Sequence, residues 1–385
     1  MKLSKRALGV APSATLRLST EIERLRGQGK DVISLLEGEP DLPTPEKIKA
    51  ATAKALRENR TRYSSSTGLP ELKAAIARKL KSENGIDATE RHILVANGAK
   101  QAIYTALQTL CGPGDEVIIP VPYWVTFPEA VRLAGAAPVF VAPRGHQLDL
   151  DKIAKAVTPR TKLIIVNSPN NPTGAVYPEQ VLREIARLAR KHHFFILSDE
   201  AYEHFIYDGL KHASIASFGR DAARRTVTVN TFSKTFSMTG FRIGYLAAAP
   251  EITRAAANIH SHLTGNVCTF AQYGAIAALK LGRKHDKNLR EIFEKRRDSA
   301  FAAAAKIFDC LKPRGAFYLF PDARRYLGKR FKDSAALAWH LLNEAGVAVV
   351  PGSACGWEGH LRLSFSGSEE NTRLGLARIA EALCR

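Results

Sequence analysis

From residue 92 to residue 247, short and uniformly apolar runs alternate with stretches whose apolar residues recur at helical spacing. His92-Ile93-Leu94-Val95 meets Ala96-Asn97-Gly98, and Ile103, Ala106, Leu107 and Leu110 then share one helical face. Gly112-Pro113-Gly114-Asp115 turns the chain into Glu116–Pro120. Further strands are predicted at Pro138–Val141, Leu163–Val166, Phe194–Leu197, Val227–Val229 and Ile243–Ala247, with helices near Glu129–Leu133 and Pro178–Lys191. A strand apolar on both faces has no solvent side, so helices must cover both faces of its sheet. The pattern predicts an α/β fold with a mostly parallel central sheet covered by helices. In such sheets the functional groups gather at the carboxyl ends of the strands.

The flanks read differently. Gly38-Glu39-Pro40-Asp41 is turn chemistry, and Thr44-Pro45 is expected to open a helix, with the Thr44 hydroxyl as cap. After about residue 285 a long charged helix, from Lys287 to about Leu311, leads to strands at Phe317–Phe320, Val347–Val350 and Leu361–Ser364 and to a C-terminal helix. We expect a large domain over 46–285 and a smaller α+β domain over 286–385, with the N-terminal segment 1–45 packing on the latter.

Composition narrows the class. The chain has 385 residues, 45% hydrophobic and 24% charged, which is ordinary for a globular protein. No apolar run approaches the roughly 20 residues of a membrane span. The opening MKLSKRALGVAPSA has an apolar middle too short for a signal peptide, broken by Gly9 and Pro12. A soluble, cytoplasmic protein is the expectation. Its five cysteines are dispersed and form no C-x-x-C pair, and His192-His193 and His260-x-His262 lack neighbouring ligands, so no metal site is expected. A net charge of +19 invites a nucleic-acid reading, yet the basic residues are scattered and no basic tail or zinc finger accompanies them. No nucleic-acid or membrane partner is expected. A basic surface drawing in anionic small molecules is the milder account.

Candidate chemistry begins at Ser198-Asp199-Glu200-Ala201-Tyr202, where the run His193–Leu197 delivers an acid and a phenol to a strand end. Alone, Asp199 reads equally well as a helix cap. Lys234 lies among Thr231, Ser233, Ser237 and Thr239, with Gly240 and Arg242 following. Alone it reads as a solvated surface lysine. Cations and hydroxyls at strand ends suit a phosphate, and a lysine there can form a Schiff base with an aldehyde cofactor. Arg362, in Leu361-Arg362-Leu363-Ser364, is a charge between apolar neighbours, and burying it requires an anion.

Together with Pro12-Ser13-Ala14-Thr15 and Ser168-Pro169-Asn170-Asn171-Pro172-Thr173-Gly174, these segments resemble class I, fold type I, pyridoxal-phosphate-dependent aminotransferases over essentially the whole length. The likeness is greatest to bacterial aspartate aminotransferases. The resemblance implies that Lys234 binds pyridoxal 5′-phosphate as a Schiff base and that Asp199 pairs with its pyridine nitrogen. Tyr202 and Asn171 would reach its phenolic oxygen, and Trp124 would stack on its ring. Gly98, Ala99, Lys100, Arg242 and a hydroxyl from Thr231 or Ser233 would hold the phosphate. Arg362 and the Gly38 backbone would take the substrate α-carboxylate. Tyr63 would reach the neighbouring subunit's cofactor in a homodimer.

Thr15 and Lys100 match positions that help hold a distal carboxylate in such relatives. The basic residue those relatives often carry before Pro-Ser-Ala-Thr is Ala11 here. The implied activity moves an amino group from an L-amino acid, aspartate as first choice with aromatic or broad specificity close behind, to a 2-oxo acid, expected to be 2-oxoglutarate. Alternatives are a carbon–sulfur β-lyase using the same cofactor, or a basic nucleic-acid-binding protein with an aminotransferase-like shell.

Overall fold

The computed structural model describes residues 3–11, 14–328 and 330–384, and of residues 5, 6 and 14–16 the backbone alone. Along them run β1 (Ile33–Ser34), β2 (Ile93–Ala96), β3 (Glu116–Pro120), β4 (Ala137–Val141), β5 (Thr161–Asn167) and β6 (Phe195–Asp199). They are followed by β7 (Thr226–Thr231), β8 (Gly244–Ala247), β9 (Tyr318–Leu319), β10 (Val347–Ala348), β11 (Val350–Pro351) and β12 (Leu361–Ser364). Seven of these make one sheet in the order β2-β8-β7-β6-β5-β3-β4.

Strands β3 to β7 pair in parallel, as the apolar runs predict. Strand β8 departs from that pattern, running antiparallel to both β7 and β2. The segment joining β7 to β8 holds only the short helix Thr239–Phe241 and no long crossover helix. A chain without a crossover returns antiparallel. Lys234 and Arg242 therefore share a loop that leaves and re-enters the sheet at the carboxyl end of β7.

Each covering helix buries a stripe. In Glu179–His192 the residues Leu182, Ile185, Leu188 and Ala189 recur at helical spacing and are buried. Each of the larger side chains contributes roughly 1.5–3 kcal/mol on leaving water. Glu179 in its first turn and Arg190, Lys191 and His192 in its last complement the helix dipole. His193 then stops it in a left-handed conformation, φ 58°. Phe194 is buried, and β6 follows directly.

Beyond the large sheet, β9, β12 and β11 form a three-stranded antiparallel sheet. The stretch expected as one strand at Val347–Val350 is two: β10 pairs with β1, and β11 pairs with β12. The charged helix spans Arg283–Ala304, earlier than expected, because Leu289, Phe293, Arg297, Ala300 and Ala304 form its buried face. Ile33 and Leu35 join a core with Leu337 and Val347, while Leu18, Ile22 and Leu25 pack with Leu342, Val350 and Cys355.

Thr44 corrects a local expectation. The helix Glu46–Arg57 has Pro45 at its N-cap and no side-chain cap. The Thr44 hydroxyl donates instead to the Ser237 carbonyl, 2.5 Å away, which ties the N-terminal segment to the Lys234 loop.

Candidate active site

At the carboxyl ends of β5, β6 and β7 the chain encloses a cavity of about 360 Å³. Asp199, Tyr202, Lys234 and Asn171 line it, and so do Thr231, Ser233, Arg242 and Arg362. Gly38, Ala99, Lys100 and Trp124 also stand at its wall. Three predicted residues are not among those lining it, of which Gly98 opens the helix Gly98–Leu110. Tyr63 is 96% exposed, away from its own cavity, and the Thr15 side chain lies outside the described residues.

The register of the parallel strands sets the floor. Asn167 and Asp199 are partners at the ends of β5 and β6, so their side chains stand next to one another at the sheet edge. Asp199 is the last residue of β6 and is buried. Its carboxylate accepts the backbone N–H of Ala201 at 3.2 Å. Burial dominates its environment and pushes its pKa up to about 7, with Lys234 pulling the other way. A buried carboxyl held near neutrality calls for a cationic partner.

The loop after β5 is held by its own side chains. Asn170 Oδ1 accepts from the Thr173 N–H at 3.1 Å and from its hydroxyl at 2.8 Å. The Asn171 N–H donates to Asn167 Oδ1 at 2.8 Å. These contacts present the Asn171 amide to the cavity, where its Oδ1 accepts from Arg362 Nη1 at 3.1 Å.

Lys234 donates to the Gly38 carbonyl. Burial pushes its pKa down to about 8, with Arg242 and Arg362 adding to the fall and Glu39 opposing it. The Thr231 and Ser233 hydroxyls stand 2.9 Å apart beside it. Across the cavity the helix Gly98–Leu110 begins with no acidic residue in its first turn and no side-chain cap from Asn97. Its free N–H groups and dipole form an anion site. The Arg242 guanidinium reinforces that end: a Cβ at Gly98 would stand 2.6 Å from Arg242 Nη2, and Gly98 holds φ +81°. Lys100 Nζ lies 5.3 Å from the Trp124 ring centroid, and burial, then Arg242, lowers its pKa.

Arg362 is buried, its Nη2 donating to Leu36 O at 2.7 Å while its Nε has no partner. Tyr318 is a site residue that the sequence reading left inside a strand. Its ring lies under Arg362 at 4.6 Å and its hydroxyl is 2.8 Å from that of Tyr202. Ser19, Glu37 and Asn167 also line the cavity. No motif marked any of these four.

Two other features were invisible in sequence. Beneath the Asp199 turn, Lys79 pairs with Glu203, and Asn84, Asn230 and Ser214 donate to Glu203 or Glu200. That buried network ties the helix Pro70–Asn84 to the segment carrying Asp199 and Tyr202. Glu200, Glu203 and His212 converge there, but Lys79 and the neutral donors already occupy the carboxylates. A second cavity of about 460 Å³ lies at the opposite end of β7, beside Ile86, Ala216 and Pro250. Asp87, Arg224 and Glu251 are among its lining, and none of the predicted site residues is.

The main cavity thus offers a buried carboxyl, an amine whose pKa burial lowers, an anion-binding helix start and a buried guanidinium with a spare donor. Such a set can hold a phosphate-bearing cofactor beside a carboxylate substrate.

Comparisons with known proteins identify the family. The family described as aminotransferase class I and II matches residues 30–379. The chain is 46% identical to the probable aspartate/prephenate aminotransferase of Aquifex aeolicus, covering 99% of this chain and 98% of that one. It is 43% identical to the aspartate aminotransferase of Geobacillus stearothermophilus over 98% of each. Among solved structures, aspartate aminotransferase from Thermus thermophilus with maleate superposes with a TM-score of 0.94 at 42% identity, over 99% of this chain and 100% of that one.

Proposed function

Because the chain belongs to the class I and II aminotransferases, we propose that it moves the amino group of aspartate to 2-oxoglutarate, with pyridoxal 5′-phosphate as cofactor. The observation that carries this reading is the meeting of Lys234, Asp199, Arg242 and Arg362 in one cavity. The names of the relatives support aspartate, and they add prephenate as an acceptor to assay.

When bound, pyridoxal phosphate supplies a carbon that holds an amino group covalently and a protonated ring that draws electrons from the substrate Cα. Asp199 would keep the ring nitrogen protonated, and that charge would stabilise its buried carboxylate. Tyr202 and Asn171 would bond the phenolic oxygen. The N–H groups at Gly98, Ala99 and Lys100, with Arg242 and the Thr231–Ser233 hydroxyl pair, hold the phosphate.

Arg362 grips the substrate α-carboxylate, using the donor that Nε leaves free. Lys234, whose amine pKa burial lowers to about 8, would serve as the base that takes the proton from the substrate Cα. Trp124 covers the ring. Tyr63, exposed on its own chain, serves the cavity of a second copy, so the active unit is a homodimer.

The test is a Lys234→Ala protein compared with the parent on a panel of amino donors, following oxo-acid-dependent turnover. Pyruvate release without an amino acceptor would mark the lyase alternative. Full transamination by the variant would overturn the assignment of Lys234.

A further inference from the structure

We propose that Tyr318 is a positioning residue for this reaction, its hydroxyl orienting the Tyr202 phenol and its ring supporting the Arg362 guanidinium. The inference rests on the roles given above to Tyr202 and Arg362.

The placement follows from strand register. Tyr318 in β9 pairs with Ser364 in β12, and Arg362 lies two residues before Ser364. Residues directly opposite share a sheet face, and so do residues two apart along one strand, so Tyr318 and Arg362 are diagonal neighbours on one face. An aromatic ring and a long side chain span that diagonal. The ring accordingly lies 4.6 Å from the guanidinium carbon. Tyr318 is fully buried, and desolvated cation–π contacts are the strong ones.

At the far end of the same ring, the hydroxyl is 2.8 Å from the Tyr202 hydroxyl, and the two rings meet edge to face at 80°. Gly38 closes over this point, since a Cβ there would stand 3.0 Å from the Tyr318 hydroxyl. One side chain thus touches three residues of the site that come from three separate segments.

The chemistry needs the hydroxyl as well as the ring. A phenol has one proton to give. If Tyr318 donates to the Tyr202 oxygen, the Tyr202 proton is free for the cofactor's phenolic oxygen, and a donated bond at one end strengthens the bond given at the other. Burial raises the pKa of both phenols, so both remain donors at working pH. The charged and titratable groups facing the pair are Arg362 and Cys355 at Tyr318, and Arg362 and Asp199 at Tyr202.

The experiment titrates the visible absorption of the bound cofactor against pH in holoenzyme carrying Tyr318→Phe, Tyr202→Phe or both, with steady-state kinetics alongside. Tyr318→Phe, which keeps the ring and its volume, is expected to raise the absorption midpoint by roughly 0.3–0.5 pH unit. It should leave KM for the amino donor within about twofold, because the ring under Arg362 remains. Tyr202→Phe should raise the midpoint further, and the double variant no further than Tyr202→Phe alone. Tyr318→Leu, which removes the ring too, should also raise that KM roughly tenfold.

If Tyr202→Phe moves the midpoint and Tyr318→Phe does not, the inference fails while the Tyr202 role stands. Additive shifts in the double variant, or an unchanged KM in Tyr318→Leu, overturn the hydroxyl and ring contacts respectively. If neither phenylalanine variant moves the midpoint, the role of Tyr202 fails and this one with it.

Discussion

Arg362 Nη1 donates to Asn171 Oδ1 at 3.1 Å across 191 residues of sequence, joining the loop after β5 to strand β12. The same guanidinium keeps an unpartnered Nε. A buried cation with its Nε–H unspent is arranged for an incoming anion. Arg362→Lys removes the planar fork, so kcat/KM for amino donors should fall on the order of 10²–10³-fold. Cofactor absorbance should stay, because Arg362 does not hold the cofactor. Unchanged kinetics would remove Arg362 from the substrate site.

Asp199 offers a pH test. In the cofactor-free protein its folded pKa is raised to about 7 from 3.8, so between those values the folded state binds more protons than the unfolded one. Stability therefore falls as pH rises through that window. Asp199→Asn lacks the loss, and its melting temperature relative to the parent should climb from about pH 4 to pH 7 and level off above. Transamination by Asp199→Asn should nevertheless drop by roughly 10²–10³-fold. A variant that lost only thermal stability would refute the cofactor role of Asp199.

Lys234 runs the opposite way. Its folded pKa is lowered to about 8 from 10.5, so the folded state binds fewer protons in between. The parent gains stability as pH rises through that window. Cofactor-free Lys234→Met should be the more stable protein below about pH 8, and the difference should close toward pH 10.5. Its turnover should fall by at least roughly 10²–10⁴-fold. Equal melting curves for the two proteins across pH 7–10 would show that the amine is not burdened by burial.

Tyr63 is 96% exposed on its own chain, which suits a residue serving a second copy. Mixing Tyr63→Ala with Lys234→Ala subunits should create hybrid dimers in which one site carries both changes and the other neither. Activity in the mixture should exceed that of either variant alone. A mixture no more active than its parts, in a sample shown to have exchanged subunits, would count against a shared site.

Specificity should turn on Lys100. Lys100→Met should lower kcat/KM for aspartate about 10- to 100-fold and change that for aromatic donors by less than about threefold. Ala11, whose N–H donates to Glu129 at 3.2 Å, stands where such relatives often carry a base. Ala11→Arg should raise the ratio of aspartate to aromatic turnover. Equal losses on both donor classes in Lys100→Met would assign that lysine to the phosphate alone.

Much of the fold could be read from local pattern. The helix Glu179–His192 announces itself through Leu182, Ile185 and Leu188, and β6 through the unbroken apolar run Phe194–Leu197 that precedes Asp199. The direction of β8 could not be read, because an all-apolar strand looks the same either way; the missing crossover helix decides it. Thr44 looked like a cap because local chemistry allows it, but a carbonyl 193 residues away took its hydroxyl.

The sequence by itself determined the alternation that builds the sheet, and it placed Asp199, Lys234 and Arg242 beside strand ends in segments resembling a known family. Those signals are local, set by neighbours a few residues apart. Only the tertiary structure decided that Tyr318 belongs to the site, that Arg362 keeps a free donor, and that Lys79 and Glu203 brace the Asp199 turn from below. Each depends on groups brought together from distant segments, where burial and hydrogen bonding between them, rather than local preference, set the free energy.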